Sequence, residues 1–103
     1  MIGQFNFPYF YNNNVVENWE SSVIGVYYLG VLTTDNKLLI YYIGRAVGDD
    51  GIRGRLLQHL SENKWNDVMH FGYHICDTPK EAMDFETKEI SKYSPKYNKQ
   101  GIL

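Results

Sequence analysis

Five residues stand out as able to do chemistry together: Tyr27, Tyr42, Arg55, His59 and Glu86. Tyr27 and Tyr42 lie in "GVYYLG" and "YYIG", on either side of "TTDN". If the chain turns through an even-numbered loop centred on Asp35-Asn36, cross-strand partners sum to 71 and Tyr42 faces Leu29. Side chains alternate along a strand, so Leu29 shares its face with Tyr27, and the two phenols sit diagonally, roughly 5–8 Å apart at Cβ. An odd loop separates them. Converging phenols can pass a proton, but a tyrosine-rich sheet also brings such pairs together by chance.

Arg55 and His59 are four apart in "IRGRLLQHL" and share one stripe, beside the apolar stripe of Ile52, Leu56 and Leu60. A cation and an imidazole at that spacing suit a phosphate oxygen, or form an ordinary surface pair. Glu86 falls in the middle of the inward stripe set by Ala82, Ile90 and Tyr93. A carboxylate there must be paired, bind a cation or take up a proton, because burying a bare charge is expensive. Glu89 lies on the same side. His70, His74 and Cys76 invite a zinc reading. Residues four apart on a strand are roughly 13 Å apart, however, too far for one ion with bonds of about 2 Å. No Gly-rich phosphate loop, Walker lysine or nucleophile elbow is present.

The elements that must hold these residues can be read in order. Val23–Leu32 and Lys37–Ile43 are β-branched and aromatic, and predict a hairpin. After "GDDG", a short amphipathic helix begins near Ile52, with Asp49 or Asp50 as cap. Gly54 inside it costs about 1 kcal/mol against Ala, which suggests a close approach to its backbone. Val68–Cys76 alternates and predicts a third strand. Thr78, Pro79 and Glu81 make a capping box with proline at the first turn, opening a helix from Pro79 to about Tyr93 that stops before Pro95. The fold class is thus α+β: a small three-stranded antiparallel sheet with flanking helices, in the order β-β-α-β-α. Residues 1–22, with Phe5, Phe7, Tyr9, Phe10, Tyr11 and Trp19, form an aromatic extension that either packs over a sheet edge or docks on a partner.

Composition limits the rest. A chain of 103 residues has room for one core. No apolar run is long enough to span a membrane and the first residues do not resemble a signal peptide, so a cytoplasmic setting is expected. The single Cys76 agrees with a reducing compartment and reads as inert packing. Net charge is −2, which by sign alone does not point to nucleic acid. The charge is uneven, however. Residues 1–36 contain no Lys or Arg, Arg45, Arg53 and Arg55 then cluster, and Lys88, Lys92, Lys96 and Lys99 lie near the C-terminus.

Together these pieces resemble the GIY-YIG nuclease domain. Gly25-Val26-Tyr27 matches its first signature and Tyr42-Ile43-Gly44 its second. "IRGRLLQHL" is similar to the family's first helix, "AMDFE" (Ala82–Glu86) to its metal-binding helix, and "SPKYN" (Ser94–Asn98) to its closing Pro-x-Tyr-Asn. The resemblance covers Ile24 to Asn98 and makes residues 23–103 the catalytic domain. It implies phosphodiester hydrolysis on DNA, with RNA as a minor variant. Glu86 would hold one divalent cation, Mg²⁺ or Mn²⁺, whose other ligands are water and phosphate oxygens. Tyr27 would be the general base with Tyr42 beside it, Arg55 would neutralise phosphate charge, and His59 would assist. Gly44, Arg45, Arg53 and Asn98 are the implied supporting or substrate-binding residues. Where relatives usually carry a leucine three residues after the metal glutamate, this chain has Glu89. It also lacks the appended DNA-binding modules of many relatives, so a protein partner that supplies targeting is expected. The alternative is a catalytically quiet copy of the fold used as a nucleic-acid- or protein-binding subunit.

Overall fold

The chain reverses direction between Leu32 and Leu38 through a loop organised by Thr33. The Thr33 hydroxyl accepts from the Lys37 N–H at 3.1 Å and donates to Asp35 at 2.6 Å, while Asn36 takes a left-handed φ of 61°. The structure, a computed structural model, describes residues 1–19 and 23–100, without the side chains of 99 and 100. The expected segments 1–22 and 23–103 therefore include residues 20–22 and 101–103, which lie outside the described residues, as does the side chain of Lys99.

Across the loop, the first strand of the hairpin (Gly25–Leu32) pairs antiparallel with the second (Leu38–Ala46). Near the turn Leu32 faces Leu38 and Gly30 faces Ile40, the odd spacing that separates Tyr27 from Tyr42. A bulge then takes up Tyr41, and beyond it Leu29 faces Tyr42 and Tyr27 faces Gly44. The expected even loop is replaced by an odd loop plus one extra residue. The phenol pair survives because the bulge restores the register.

In chain order the elements are β1 (Asn6–Phe10), α1 (Asn13–Glu17), β2 (Gly25–Leu32), β3 (Leu38–Ala46), α2 (Gly51–Ser61), β4 (His70–Ile75), α3 (Pro79–Tyr93) and α4 (Lys96–Gln100). The fold is α+β. Its sheet has four strands rather than the expected three, in the order β1-β4-β2-β3 with antiparallel neighbours. The fourth strand comes from the aromatic lead-in, which meets the sheet by pairing with β4 at its edge. Pro8 explains why this strand is hard to read. It cannot donate to a ladder and confines its strand to an edge, and the β1–β4 register breaks between Asn6 and Tyr9.

Each sheet face is covered by helix. On one, Tyr27, Leu29 and Phe71 pack with Ile52 and Leu56 of α2 and Val16 of α1. On the other, Val26, Tyr28 and Ile43 pack with Ala82, Phe85 and Ile90 of α3. Leu56 is fully buried, so truncating it to Ala should cost about 2–5 kcal/mol. The start of α3 is as expected: Thr78 accepts from the Glu81 N–H at 3.1 Å. The Glu81 carboxylate reaches back to the Asp77 N–H at 2.9 Å, one residue earlier than in a capping box. Ser94, at a left-handed φ of 45°, ends the helix before the buried Pro95. Tyr93 is not inward but exposed, and the half-buried Phe85 and Glu89 widen the inner stripe in its place. The close approach at Gly54 is made by the chain itself, since a Cβ there would collide with the Asp50 side chain.

β3 is an edge strand, and α4 covers part of that edge. Asn98 accepts from the Ile43 N–H at 2.8 Å and donates to the Ile43 carbonyl at 2.8 Å, taking the place of a neighbouring strand. Among the described residues no helix is long and apolar enough to cross a membrane.

Candidate active site

Several of the candidate residues meet at the β3 edge of the sheet. Tyr42 stands on the α2 side of β3. Arg45 stands on the α3 side, because side chains alternate along the strand. Tyr42, Arg45, Arg55 of α2 and Glu86 of α3 line one cavity of about 400 Å³, together with Val47 and Gly48. The sheet edge thus brings together residues from β3, α2 and α3.

The Glu86 carboxylate is largely buried, with 13% of its side chain exposed, and the Arg45 guanidinium donates to it at 2.6 Å. That pairing answers the cost of placing a carboxylate on an inward stripe. Arg55 is different. It donates to the Gln58 side chain at 2.6 Å, and among the described residues no carboxylate pairs with it. The cavity therefore has one paired and one unpaired guanidinium, an arrangement suited to an anion.

Behind the cavity lies a buried polar cluster. Tyr27 is fully buried, and its hydroxyl is 2.9 Å from His59 Nε2. His59 is 3% exposed, so it occupies the core rather than a surface stripe. The rings of Tyr27 and Tyr42 are 6.2 Å apart, and that of His59 lies 5.7 Å from Tyr42. Burial pushes the Tyr27 phenol well above its usual range; Tyr42 adds to this, and Arg55 opposes it. Burial also raises Tyr42, against the pull of Arg55. His59 is pulled down to about 4, first by burial and then by the Arg55 and Lys64 charges. At neutral pH the ring is uncharged, so the 3.8 Å approach of its Nδ1 to Glu62 is neither an ion pair nor a hydrogen bond.

Gly44 has a geometric reason to be glycine. It faces Tyr27 across the strands, and a Cβ there would collide with the Tyr27 hydroxyl and press on the Tyr42 ring. Asn98 lies outside the cavity and clamps β3 at Ile43, one residue from Tyr42. Arg53 does not join the cluster. It donates to the Glu17 carbonyl at 3.0 Å, at the C-terminal end of α1. Glu89 likewise turns away, accepting from the Tyr28 hydroxyl at 2.6 Å under α3. The histidines of β4 have separate partners: His70 accepts from the Leu32 N–H, and His74 lies 2.7 Å from the Gly3 carbonyl. Among the described residues no cluster of three or more His, Cys, Asp or Glu could hold a metal ion.

Two neighbours were missed from sequence. Gln58 fixes the Arg55 guanidinium, and its i+3 spacing from Arg55 was the available signal. Trp65 packs on Tyr42 with ring centroids 4.5 Å apart. A tryptophan inside the polar loop "ENKWND" was the sign of it. Comparison of the chain with protein-family models, with curated proteins and with solved structures gave no match.

Proposed function

We propose that this protein is a metal-dependent DNA endonuclease of the GIY-YIG type that hydrolyses phosphodiester bonds. One observation carries the reading: an unpaired Arg55, a carboxylate and a tyrosine line a single cavity, with a buried phenol–imidazole pair behind it. The resemblance of the two tripeptides, the first helix and the Pro-x-Tyr-Asn segment supports it further.

The donor set is consistent with the implied cation. Glu86 offers one hard carboxylate oxygen, and nothing else lining the cavity is acidic. That suits an ion such as Mg²⁺ or Mn²⁺, which keeps most of its water, and suits zinc poorly. When bound at Glu86, it would polarise the scissile phosphate and stabilise the leaving oxygen.

The chain's own residues divide the remaining work. Arg55, held by Gln58, pairs with a non-bridging phosphate oxygen. Arg45, once released from Glu86, adds a second charge-assisted contact. Tyr42 lines the cavity and Tyr27 does not, so the phenols act as a unit, with Tyr42 towards the attacking water and Tyr27 behind. As the water loses its proton to this pair, the Tyr27 proton moves to His59 Nε2. The imidazolium so formed carries its Nδ1 proton on the side of Glu62. Both phenols are neutral at rest, so they accept a proton only as the Tyr27 proton moves towards His59; an anionic phosphate paired with Arg55 would offset part of the cationic field that, after burial, holds His59 uncharged in the free protein.

The test is cleavage of supercoiled plasmid and a panel of branched DNAs in Mg²⁺ or Mn²⁺. Wild type should cut, while Tyr27→Phe and Arg55→Ala should lose at least about 100-fold in rate. A wild type inert on every substrate with either metal would favour the binding-subunit reading.

A further inference from the structure

Trp65 joins three rings that come from three parts of the chain. Its ring centroid lies 4.5 Å from Tyr42 on β3, 5.1 Å from His59 on α2 and 5.4 Å from Tyr97 on α4. Tyr42 and His59 both belong to the cluster around the buried Tyr27 phenol. Tyr97, stacked on the indole at 15°, is the tyrosine of the closing "SPKYN" segment.

The backbone leaves its ordinary range to put the indole there. Trp65 takes a left-handed φ of 54°, an outlier for a bulky residue, and such outliers persist only where the surroundings fix them. Here they do. The Asn63 N–H donates to the Leu60 carbonyl at 3.1 Å and the Val68 N–H to the Trp65 carbonyl at 3.1 Å. Asp67 accepts from Lys96 at 2.8 Å and from the Tyr97 hydroxyl at 2.6 Å. The loop between α2 and β4 is thus pinned to α4, the helix whose Asn98 clamps β3.

The two residues that the indole covers both need a wall. Tyr42 directly follows the Tyr41 bulge on an edge strand, where packing must set the aim of a side chain. Of the three rings around it Trp65 is the nearest, at 4.5 Å against 5.7 Å for His59 and 6.2 Å for Tyr27. His59 meets the Tyr27 hydroxyl through Nε2, while its buried Nδ1 has no hydrogen-bond partner. One hydrogen bond does not fix the plane of an imidazole, so neighbouring rings must.

We infer that Trp65 is a positioning residue, which keeps His59 dry and aligned on Tyr27 and holds Tyr42 beside them. The packing carries that much by itself. That the alignment serves proton removal from an attacking water rests on the nuclease reading.

Burial is the first cause that holds His59 down to about 4, so opening this wall lets it climb towards its ordinary 6.5. The groups that face it remain when the indole goes. Arg55 and Lys64 oppose its charge, Glu62 favours it, and the phenols of Tyr27 and Tyr42 complete its surroundings.

Trp65→Gly tests this, because it deletes the ring and suits the left-handed backbone. Nuclear magnetic resonance titration of the metal-free protein, with His59→Asn to assign the signal, should show His59 higher by at least about one pH unit. Trp65→Phe should fall between wild type and Trp65→Gly. In cleavage assays kcat should drop at least about tenfold with KM within about threefold, and Trp65→Phe should recover most of the loss. The acid limb of kcat/KM, which reports the free protein, should move up in pH with His59, since the ring must be neutral to take a proton. A folded Trp65→Gly protein whose His59 titrates as in wild type overturns the proposal, as does a loss confined to KM. Should Trp65→Gly fail to fold, Trp65→Leu is judged by the same readings. A His59 shift in a protein whose wild type cuts no DNA with either metal supports the packing role and removes the nuclease reading. Cleavage by wild type with His59 unmoved in the variant does the reverse.

Discussion

The Arg45 guanidinium holds the Glu86 carboxylate at 2.6 Å across the β3 edge, joining a strand residue on the α3 side of the sheet to the helix above it. The pair places a cation where the proposed metal would bind, so Arg45 and a divalent ion compete for one carboxylate. Arg45 is 43% exposed and solvent screens the pair, which limits its worth to about 1 kcal/mol or less. Arg45→Met should therefore tighten Mn²⁺ binding up to about fivefold, read by electron paramagnetic resonance titration. Unchanged or weaker binding would separate Arg45 from the metal site.

His59 gives a pH signature. Its folded value of about 4 lies below the ordinary 6.5, so between those limits the unfolded chain binds the extra proton. The contribution of His59 is complete above pH 6.5 and is lost as pH falls towards 4, at up to about 1.4 kcal/mol per pH unit. Denaturant melts across that window should show the slope, and His59→Asn should flatten it. A slope unaltered in His59→Asn would contradict a buried neutral imidazole.

Gly44→Ala puts a methyl group against the Tyr27 and Tyr42 rings. Overpacking of this kind costs about 1–3 kcal/mol, and the phenols must shift to admit it. Lower unfolding free energy together with an altered near-ultraviolet circular dichroism spectrum is the expected outcome. A change within about 0.5 kcal/mol would mean the rings have room to move.

Asn98→Ala strips two hydrogen bonds from the Ile43 backbone and should destabilise by about 1–3 kcal/mol. Asn98→Asp keeps the acceptor and loses the donor, so it should fall between. Faster amide exchange at Ile43 is the local readout. Normal exchange there would show that β3 holds its edge without the clamp.

How much of this was legible in the sequence depends on the range of the signal. The α3 helix was readable from Thr78 to Tyr93 because its cap, its proline and its stop are all local. The strand β1 was not, because Asn6 and Pro8 hide a strand that exists only by pairing with β4. The Tyr27–Tyr42 register shows both sides. Tyr27 and Tyr42 share a face as expected, but not through the expected even loop: an odd loop plus the Tyr41 bulge produces the register, and both depend on cross-strand packing. Arg55 and His59 were read as one stripe from their i, i+4 spacing alone. That His59 turns into the core while Arg53 turns to α1 is decided by neighbours distant in sequence.

The most direct test of the proposed chemistry is plasmid nicking by Glu86→Ala beside wild type, in Mg²⁺ and in Mn²⁺, with unfolding curves to show that the variant is folded. Divalent-dependent cutting by wild type and none by a folded Glu86→Ala protein is the expected result. Equal cutting by the two, or cutting by wild type that persists in EDTA, would contradict a hydrolysis built on Glu86.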